Sequence, residues 1–239
     1  QALKNLQRVV MIQCVGSRER GKREYCSRVC CTHALKNSLK LKELNPTLEV
    51  VVLYRDLRAY GLYEDDYRRA REAGVLFTTY DVEQKPVVEI GSHSLQVTYD
   101  DQILQQKLSL AADYVVLSTG VEPHEVGELS RLLGLPLDDF GFYQEANAKA
   151  ALVDFVGEGR YHCGLASAPL HINETLIRAR AAAARAATVL GKGELVSEKT
   201  AVTVSTRLCS GCGLCVEACP YGARELNQET RIADVHYDL

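Results

Sequence analysis

The chain has 239 residues, a formal net charge of -3 and 25% charged residues, enough for one large or two smaller domains plus a short module, with no basic stripe to bind nucleic acid. No apolar run approaches membrane-spanning length and no signal peptide opens the sequence, so a cytoplasmic protein without a membrane span is expected. Nine cysteines, an odd number, point to metal or redox chemistry rather than to a disulfide scaffold.

In chain order, residues 9–14 (V-V-M-I-Q-C) read as a buried strand, followed by a charged loop and a helix over about 25–44. Residues 49–54 (E-V-V-V-L-Y) form the next strand, 62–73 a second helix stopped by Gly74, and 75–80 a third strand. This strand-helix-strand-helix-strand order predicts a parallel sheet. Residues 87–90 and 95–99 flank G-S-H-S and predict a hairpin, after which 114–117 leads into Ser118-Thr119-Gly120. A helix is expected near 125–133, a strand at 160–163, an Ala-rich helix over 172–190 and a polar linker over 191–198.

The strongest motif is C-S-G-C-G-L-C-V-E-A-C-P, from Cys209 to Pro220. Two residues between successive cysteines let Cys209, Cys212 and Cys215 wrap a [4Fe-4S] cluster from one loop, and in the two-cluster form of the motif Cys219 serves the other cluster. Gly211 and Gly213 tolerate positive φ and let backbone N–H groups point at the sulfides. Residues 202–208 (V-T-V-S-T-R-L) also align with 233–239 (A-D-V-H-Y-D-L), pairing Val204 with Val235 and Leu208 with Leu239. Ferredoxin halves are internally repeated, so a second cysteine run is expected beyond residue 239. The chain does not begin with Met, and further sequence is expected at that end too.

Cys14, Cys26, Cys30 and Cys31 form a second constellation with no standard cluster spacing. On the predicted elements Cys14 ends the first strand, while Cys26 and Cys30 share one helix face at i, i+4. All four would then converge on the crevice where an open α/β sheet receives a nucleotide. The turn there, Q-C-V-G-S-R, has one glycine where G-x-G-x-x-G needs three. Arg18, Arg20, Lys22, Arg23 and Arg28 surround it and would stabilise an anionic cluster. On spacing alone a four-cysteine zinc site and inert buried thiols stay open. Cys163 reads as a core or pocket thiol.

I-Q-C-V-G-S-R, Y-C-S-R-V-C-C-T-H-A-L-K and L-Y-R-D-L-R-A-Y-G, with the segment ending in Thr119-Gly120 and the Cys209 motif, closely resemble the A-type subunit of heterodisulfide reductase. The resemblance implies an α/β, thioredoxin-reductase-like (two-dinucleotide flavoprotein) parallel-sheet domain with an α+β ferredoxin-like [4Fe-4S] module at the C-terminus. It divides the chain into a cysteine-bearing βαβ middle domain (1–112), the C-terminal part of an FAD-binding domain (113–192) and a partial ferredoxin-like domain (193–239). Cys14, Cys26, Cys30 and Cys31 then match an unconventional [4Fe-4S] site, beside the Cys209, Cys212, Cys215 and Cys219 motif.

For FAD, the resemblance points to Gly164, Leu165, Pro169, His171 and Ile172, where a loop delivers a helix N-terminus to the flavin, and to Thr119 and Gly120. Leu165 departs from the Asp that many flavoproteins place there. Lys36, five residues after Cys31, is a candidate for the flavin edge, against the plain reading of a solvated lysine. No G-x-G-x-x-G for the adenylate occurs in these residues. The implied function is that of an oxidoreductase component passing electrons between FAD and [4Fe-4S] clusters, with flavin-based bifurcation in some members. Partners would be an electron-donor module and iron-sulfur acceptor subunits, with a homodimer also open. The alternatives are a flavin-free iron-sulfur relay or scaffold and an NAD(P)H-dependent flavoprotein reductase.

Overall fold

The computed structural model describes residues 5–92, 94–157, 159–192 and 202–236. The chain divides into two compact units, Gln1–Gly191 and Lys192–Leu239. His93 of the expected hairpin turn, residues 193–198 of the expected linker and 237–239 of the expected repeat lie outside the described residues.

In the first unit a four-stranded parallel sheet has the order β3-β2-β1-β7, built from β1 (Arg8–Ile12), β2 (Glu49–Tyr54), β3 (Leu76–Thr79) and β7 (Tyr114–Leu117). Helices α1 (Cys30–Leu44) and α2 (Tyr63–Glu72) make the crossovers. A three-stranded antiparallel sheet of β4 (Val87–Ile90), β5 (Leu95–Asp101) and β6 (Gln106–Ala112) follows. β1 and β2 are unbroken apolar runs because both of their faces are buried. Val9, Met11, Val50 and Val52 pack with Ala34 and Leu35 of α1 and Ala70 of α2. On the opposite face Val10, Ile12, Val51 and Leu53 meet Val97, Tyr99 and Ala112 of the antiparallel sheet.

Several local expectations are corrected, among them Cys163, read as a core or pocket thiol but exposed. Helix α1 starts at Cys30, not at residue 25, because Arg28 takes a φ of +60° and the backbone turns there. Cys26 therefore lies in the preceding loop and does not share a helix face with Cys30. Residues 160–163 carry only an isolated bridge, Asp154 to Tyr161, instead of a strand. β6 adds a third strand to the expected hairpin. Past β7 come α3 (Gly127–Leu133), a small core of Leu135, Tyr143 and Phe155, and α4 (Ile172–Leu190).

In the second unit a short α5 (Leu214–Glu217) precedes the antiparallel pair β8 (Arg224–Leu226) and β9 (Ala233–Val235). The two segments of the expected repeat differ: β9 covers part of the second, while residues 202–208 contain no strand. Among the described residues no helix is long and apolar enough to cross a membrane.

Candidate redox sites

The front cysteines gather at the carboxyl end of β1. Gln13 N–H donates to the Leu53 carbonyl at 2.9 Å and Val15 N–H to the Ser118 carbonyl at 3.0 Å, which holds Cys14 at the crest of the sheet between β2 and β7. Cys14 itself has a φ of +58°, a conformation uncommon outside glycine. Cys26 follows a loop whose Ser17 hydroxyl is buried and lies 3.1 Å from the buried hydroxyl of Ser27. Cys30 and Cys31 open α1, and Cys31 shares that helix's buried face with Ala34, Leu35 and Ser38.

The neighbouring thiols act on one another electrostatically. Burial raises the Cys30 thiol, and repulsion from Cys31, Cys14 and Cys26 lifts it further, to about 11. Burial also raises Cys31, with Cys14 and Cys26 adding to the shift and the Arg58 N–H opposing it. Burial raises Cys14, against the pull of Arg18 and Arg55. Thiols held protonated in this way would have to release protons to ligate a cation or a cluster. Donors to sulfur are in place: Arg28 N–H to Cys26 Sγ at 3.3 Å and Arg58 N–H to Cys31 Sγ at 3.5 Å. Among the described residues, no three His, Cys, Asp or Glu side chains close into a geometry for holding a metal ion. The front donor set is all sulfur, spread across a loop and a helix start, with N–H groups facing it; that chemistry fits a cluster better than a single oxygen-liganded cation.

Around the tetrad, Arg18 pairs with Asp56, and Arg55 Nη1 donates to the Arg18 carbonyl at 2.7 Å. A cavity of about 290 Å³ opens beside Cys14, lined by Ile12, Arg55, Tyr80, Lys85 and Leu117 among others. The Tyr80 hydroxyl donates to the Gln13 carbonyl at 2.5 Å and closes its floor.

The other candidate residues fall into two groups. Pro169, His171 and Ile172 stand at the start of α4, where the His171 N–H donates to Glu174 Oε2 at 3.0 Å. His171 is buried between Tyr60 and Tyr63, with ring centroids 5.6 and 5.1 Å away. Burial lowers its imidazole, and Arg28 and His33 oppose its protonation further. Ile172 is 67% exposed, and a capping box closes the start of α4, the His171 side chain accepting the N3 N–H and Glu174 accepting the N-cap N–H. Gly164 has a φ of +68°, and an added Cβ there would meet nothing within 4 Å. Thr119 and Gly120 instead sit against the cysteine loop: the Thr119 carbonyl accepts from Arg23 Nη1 at 3.2 Å and Gly120 packs on Ser17 and Ser27. Leu165 lines a separate hollow with Val121, Pro123 and Phe142. Lys36 is exposed on α1.

Sequence reading passed over Tyr63, Ser17 and Ser27. The aromatic spacing in R-A-Y-G-L-Y was a signal for the tyrosine. Nothing in the sequence marked the serines.

In the second unit, Gly211 and Gly213 have φ of +69° and +75° and shape the loop that carries Cys209 and Cys212. The Leu214 N–H and then the Ser210 hydroxyl pull Cys212 down, and the Tyr221 and Ala223 N–H groups do the same for Cys219. Backbone N–H groups aimed at sulfur favour the thiolate, the form that ligates iron.

The 4Fe-4S binding domain family matches residues 202–225, which include all four of these cysteines. The chain is 37% identical over 230 residues to the A-type subunit of the ferredoxin:CoB-CoM heterodisulfide reductase of Methanosarcina acetivorans, across 94% of this chain and 28% of that protein. It is 38% identical over 223 residues to the A-type subunit of the H(2)/formate:CoB-CoM heterodisulfide,ferredoxin reductase of Methanococcus maripaludis, across 90% of this chain and 33% of that protein. The chain thus spans about a third of the length of these relatives. Among solved structures, the Cu(II) complex of the HOCl-induced flavoprotein disulfide reductase RclA from Escherichia coli superposes with a TM-score of 0.50 at 13% identity, over 79% of this chain and 38% of that one. That likeness is one of fold, the thioredoxin-reductase-like α/β class expected from the sequence, joined here to a C-terminal ferredoxin-like 4Fe-4S module.

Proposed function

From the premise that the chain is related over nearly its whole length to the A-type subunits of heterodisulfide reductases, we propose that it is part of an iron-sulfur flavoprotein oxidoreductase that passes electrons between FAD and two separate [4Fe-4S] sites. When bound, the flavin supplies two-electron chemistry and the clusters one-electron chemistry, the combination on which bifurcation would rest. Residues 1–112 carry the front site, 113–192 the second part of an FAD domain, with β7 completing the sheet of the first part, and 193–239 part of a ferredoxin module. The protein works in a cytoplasmic complex with a donor module and iron-sulfur acceptor subunits.

What supports the reading is that Cys14 stands at the carboxyl end of β1, where related sheets hold a nucleotide, Cys30 and Cys31 open α1, and backbone N–H groups face the Cys26 and Cys31 sulfurs. Their thiolates hold the cluster; the Arg28 and Arg58 N–H groups and the charges of Arg18 and Arg55 offset its negative charge. Cys209, Cys212 and Cys215 ligate at the second site, with Cys219 serving the other cluster of a two-cluster ferredoxin module. Gly164, Pro169, His171 and Ile172 orient the flavin at the α4 N-terminus, where the positive end of the helix dipole favours negative charge. Thr119 and Gly120 support this site through the cysteine loop, Leu165 packs behind it, and Lys36 adds positive charge from α1.

The test is iron and sulfide counting with electron paramagnetic resonance on the full-length polypeptide purified without oxygen. Cys26→Ser is expected to abolish one cluster signal and spare another that Cys212→Ser abolishes. Zinc or no metal at both places would overturn the proposal.

A further inference from the structure

Arg28 touches both candidate sites of the first unit. Its backbone is in the left-handed region, φ +60°, where few non-glycine residues sit, and the adjoining Val29 N–H donates to the Ser27 carbonyl at 2.6 Å. That tight turn aims the Arg28 N–H at the Cys26 sulfur, 3.3 Å away. The side chain leaves in the direction of α4. Nη2 donates to Glu174 Oε1 at 2.5 Å and to the Tyr60 hydroxyl at 2.6 Å, while Nη1 approaches the Pro169 carbonyl at 3.5 Å.

The electrostatic logic runs through Glu174. Its second oxygen accepts the His171 N–H, which puts a carboxylate in the first turn of α4 and offsets the positive helix end. A flavin gaining negative charge on reduction would find that end weakened. The Arg28 guanidinium neutralises the carboxylate and restores the positive end. Its presence there depends on the turn at Cys26, because the same residue supplies both contacts.

We propose that Arg28 is a positioning residue shared by the two sites: the N–H that holds the Cys26 sulfur fixes the guanidinium at the α4 N-terminus, so that the condition of the cysteine site sets the charge offered to the flavin. The proposal rests on the reading of a cluster at the front cysteines and a flavin at α4.

The experiment is a spectroelectrochemical titration of the flavin in the anaerobic full-length polypeptide, alongside paramagnetic resonance of the front cluster. Arg28→Met is expected to weaken the flavin reduction equilibrium about tenfold, roughly 30 mV for a two-electron couple. Arg28→Lys keeps the charge and recovers most of that loss, and Glu174→Gln moves the potential in the opposite direction. A general folding defect would not reverse sign between these variants. Cys26→Ser and Arg28→Met should also be non-additive in the flavin potential, since each disturbs the same connection. If the unmodified protein shows no flavin or no front cluster, the functional reading falls and this proposal with it. If both are present and Arg28→Met leaves the potential unchanged, or the cycle is additive, the role of Arg28 alone is overturned.

Discussion

The α-carbon of Gly120 lies against the side chain of Ser27, so closely that a Cβ at position 120 would collide with the Ser27 and Ser17 hydroxyls. The same Ser27 oxygen accepts the Val121 N–H at 2.9 Å. The segment leaving β7 is thereby fastened to the loop that carries Cys26. Gly120→Ala faces this collision and a φ of +84°. It should destabilise the first unit by at least about 1–3 kcal/mol from backbone strain. It should also weaken iron retention at the front site. Denaturant unfolding checks the first point and iron counting the second; an unchanged unfolding midpoint would refute this account of the glycine.

Arg18 is the strongest charge acting on Cys14, drawing its thiol down against the rise caused by burial. A positive charge favours the more negative, reduced form of a cluster. Arg18→Met should lower the front-site potential by on the order of 60 mV, a tenfold change for a one-electron couple. Arg18→Lys should fall between the two. A paramagnetic resonance titration reads this directly, and identical midpoints for all three proteins would remove Arg18 from the site.

Much of the sheet was legible because β1, α1 and β2 follow the rules of a buried parallel sheet, apolar runs alternating with a helical stretch. α4 keeps the bounds read from its alanine run, Ile172–Leu190. The start of α1 was hidden because C-S-R-V contains no breaker; a left-handed arginine leaves no mark in propensity. The strand expected at residues 160–163 was a false reading, since His162 is buried against Phe155 without a neighbouring strand to pair along. β6 was missed although K-L-S-L alternates, because it opens on two polar residues and its outer face is exposed. The front cysteines could be placed in one crevice from sequence. The donors to their sulfurs could not, as they are backbone N–H groups of Arg28 and Arg58.

Asp101 at the end of β5 is buried and accepts from Thr78 Oγ1 and from the Ile103 and Leu104 N–H groups, the last two at 2.8 Å. Burial pushes its carboxyl up, but these donors outweigh it and leave the group below its ordinary 3.8. A depressed carboxylate adds stability that is full above the unfolded value and is lost as pH falls through the folded one. Unfolding of the unmodified protein should therefore become easier below about pH 4, where the unfolded carboxyl begins to bind protons. Asp101→Asn should flatten that dependence and cost about 1–2 kcal/mol at neutral pH by turning charge-assisted bonds into neutral ones. Parallel acid dependences in the two proteins would contradict this.

Leu35 and Lys36 are neighbours on α1 with opposite surroundings. Leu35 is fully buried between the helix and β1, and Lys36 is exposed. Leu35→Ala should cost about 2–5 kcal/mol through lost burial and a residual cavity. Lys36→Ala should change unfolding by no more than about 0.5 kcal/mol. Comparable losses in the two variants would mean that α1 is turned differently on the sheet.

The second unit offers a comparison between two glycines of one loop. Both have positive φ, so alanine strains the backbone at either position. At Gly211 an added Cβ would also strike the Arg231 carbonyl oxygen, a backbone atom that no rotamer change can move. At Gly213 nothing lies within 4 Å. Gly211 precedes Cys212 and Gly213 follows it, so a shift at Gly211 displaces the loop between Cys209 and Cys212 relative to the strand pair behind it. Gly213→Ala would strain only the turn into α5. Gly211→Ala is therefore expected to lose most of the signal that depends on Cys212 while leaving the front-site signal intact, and Gly213→Ala to retain most of both. Equal losses would show that conformational freedom alone, without the Arg231 contact, explains both glycines.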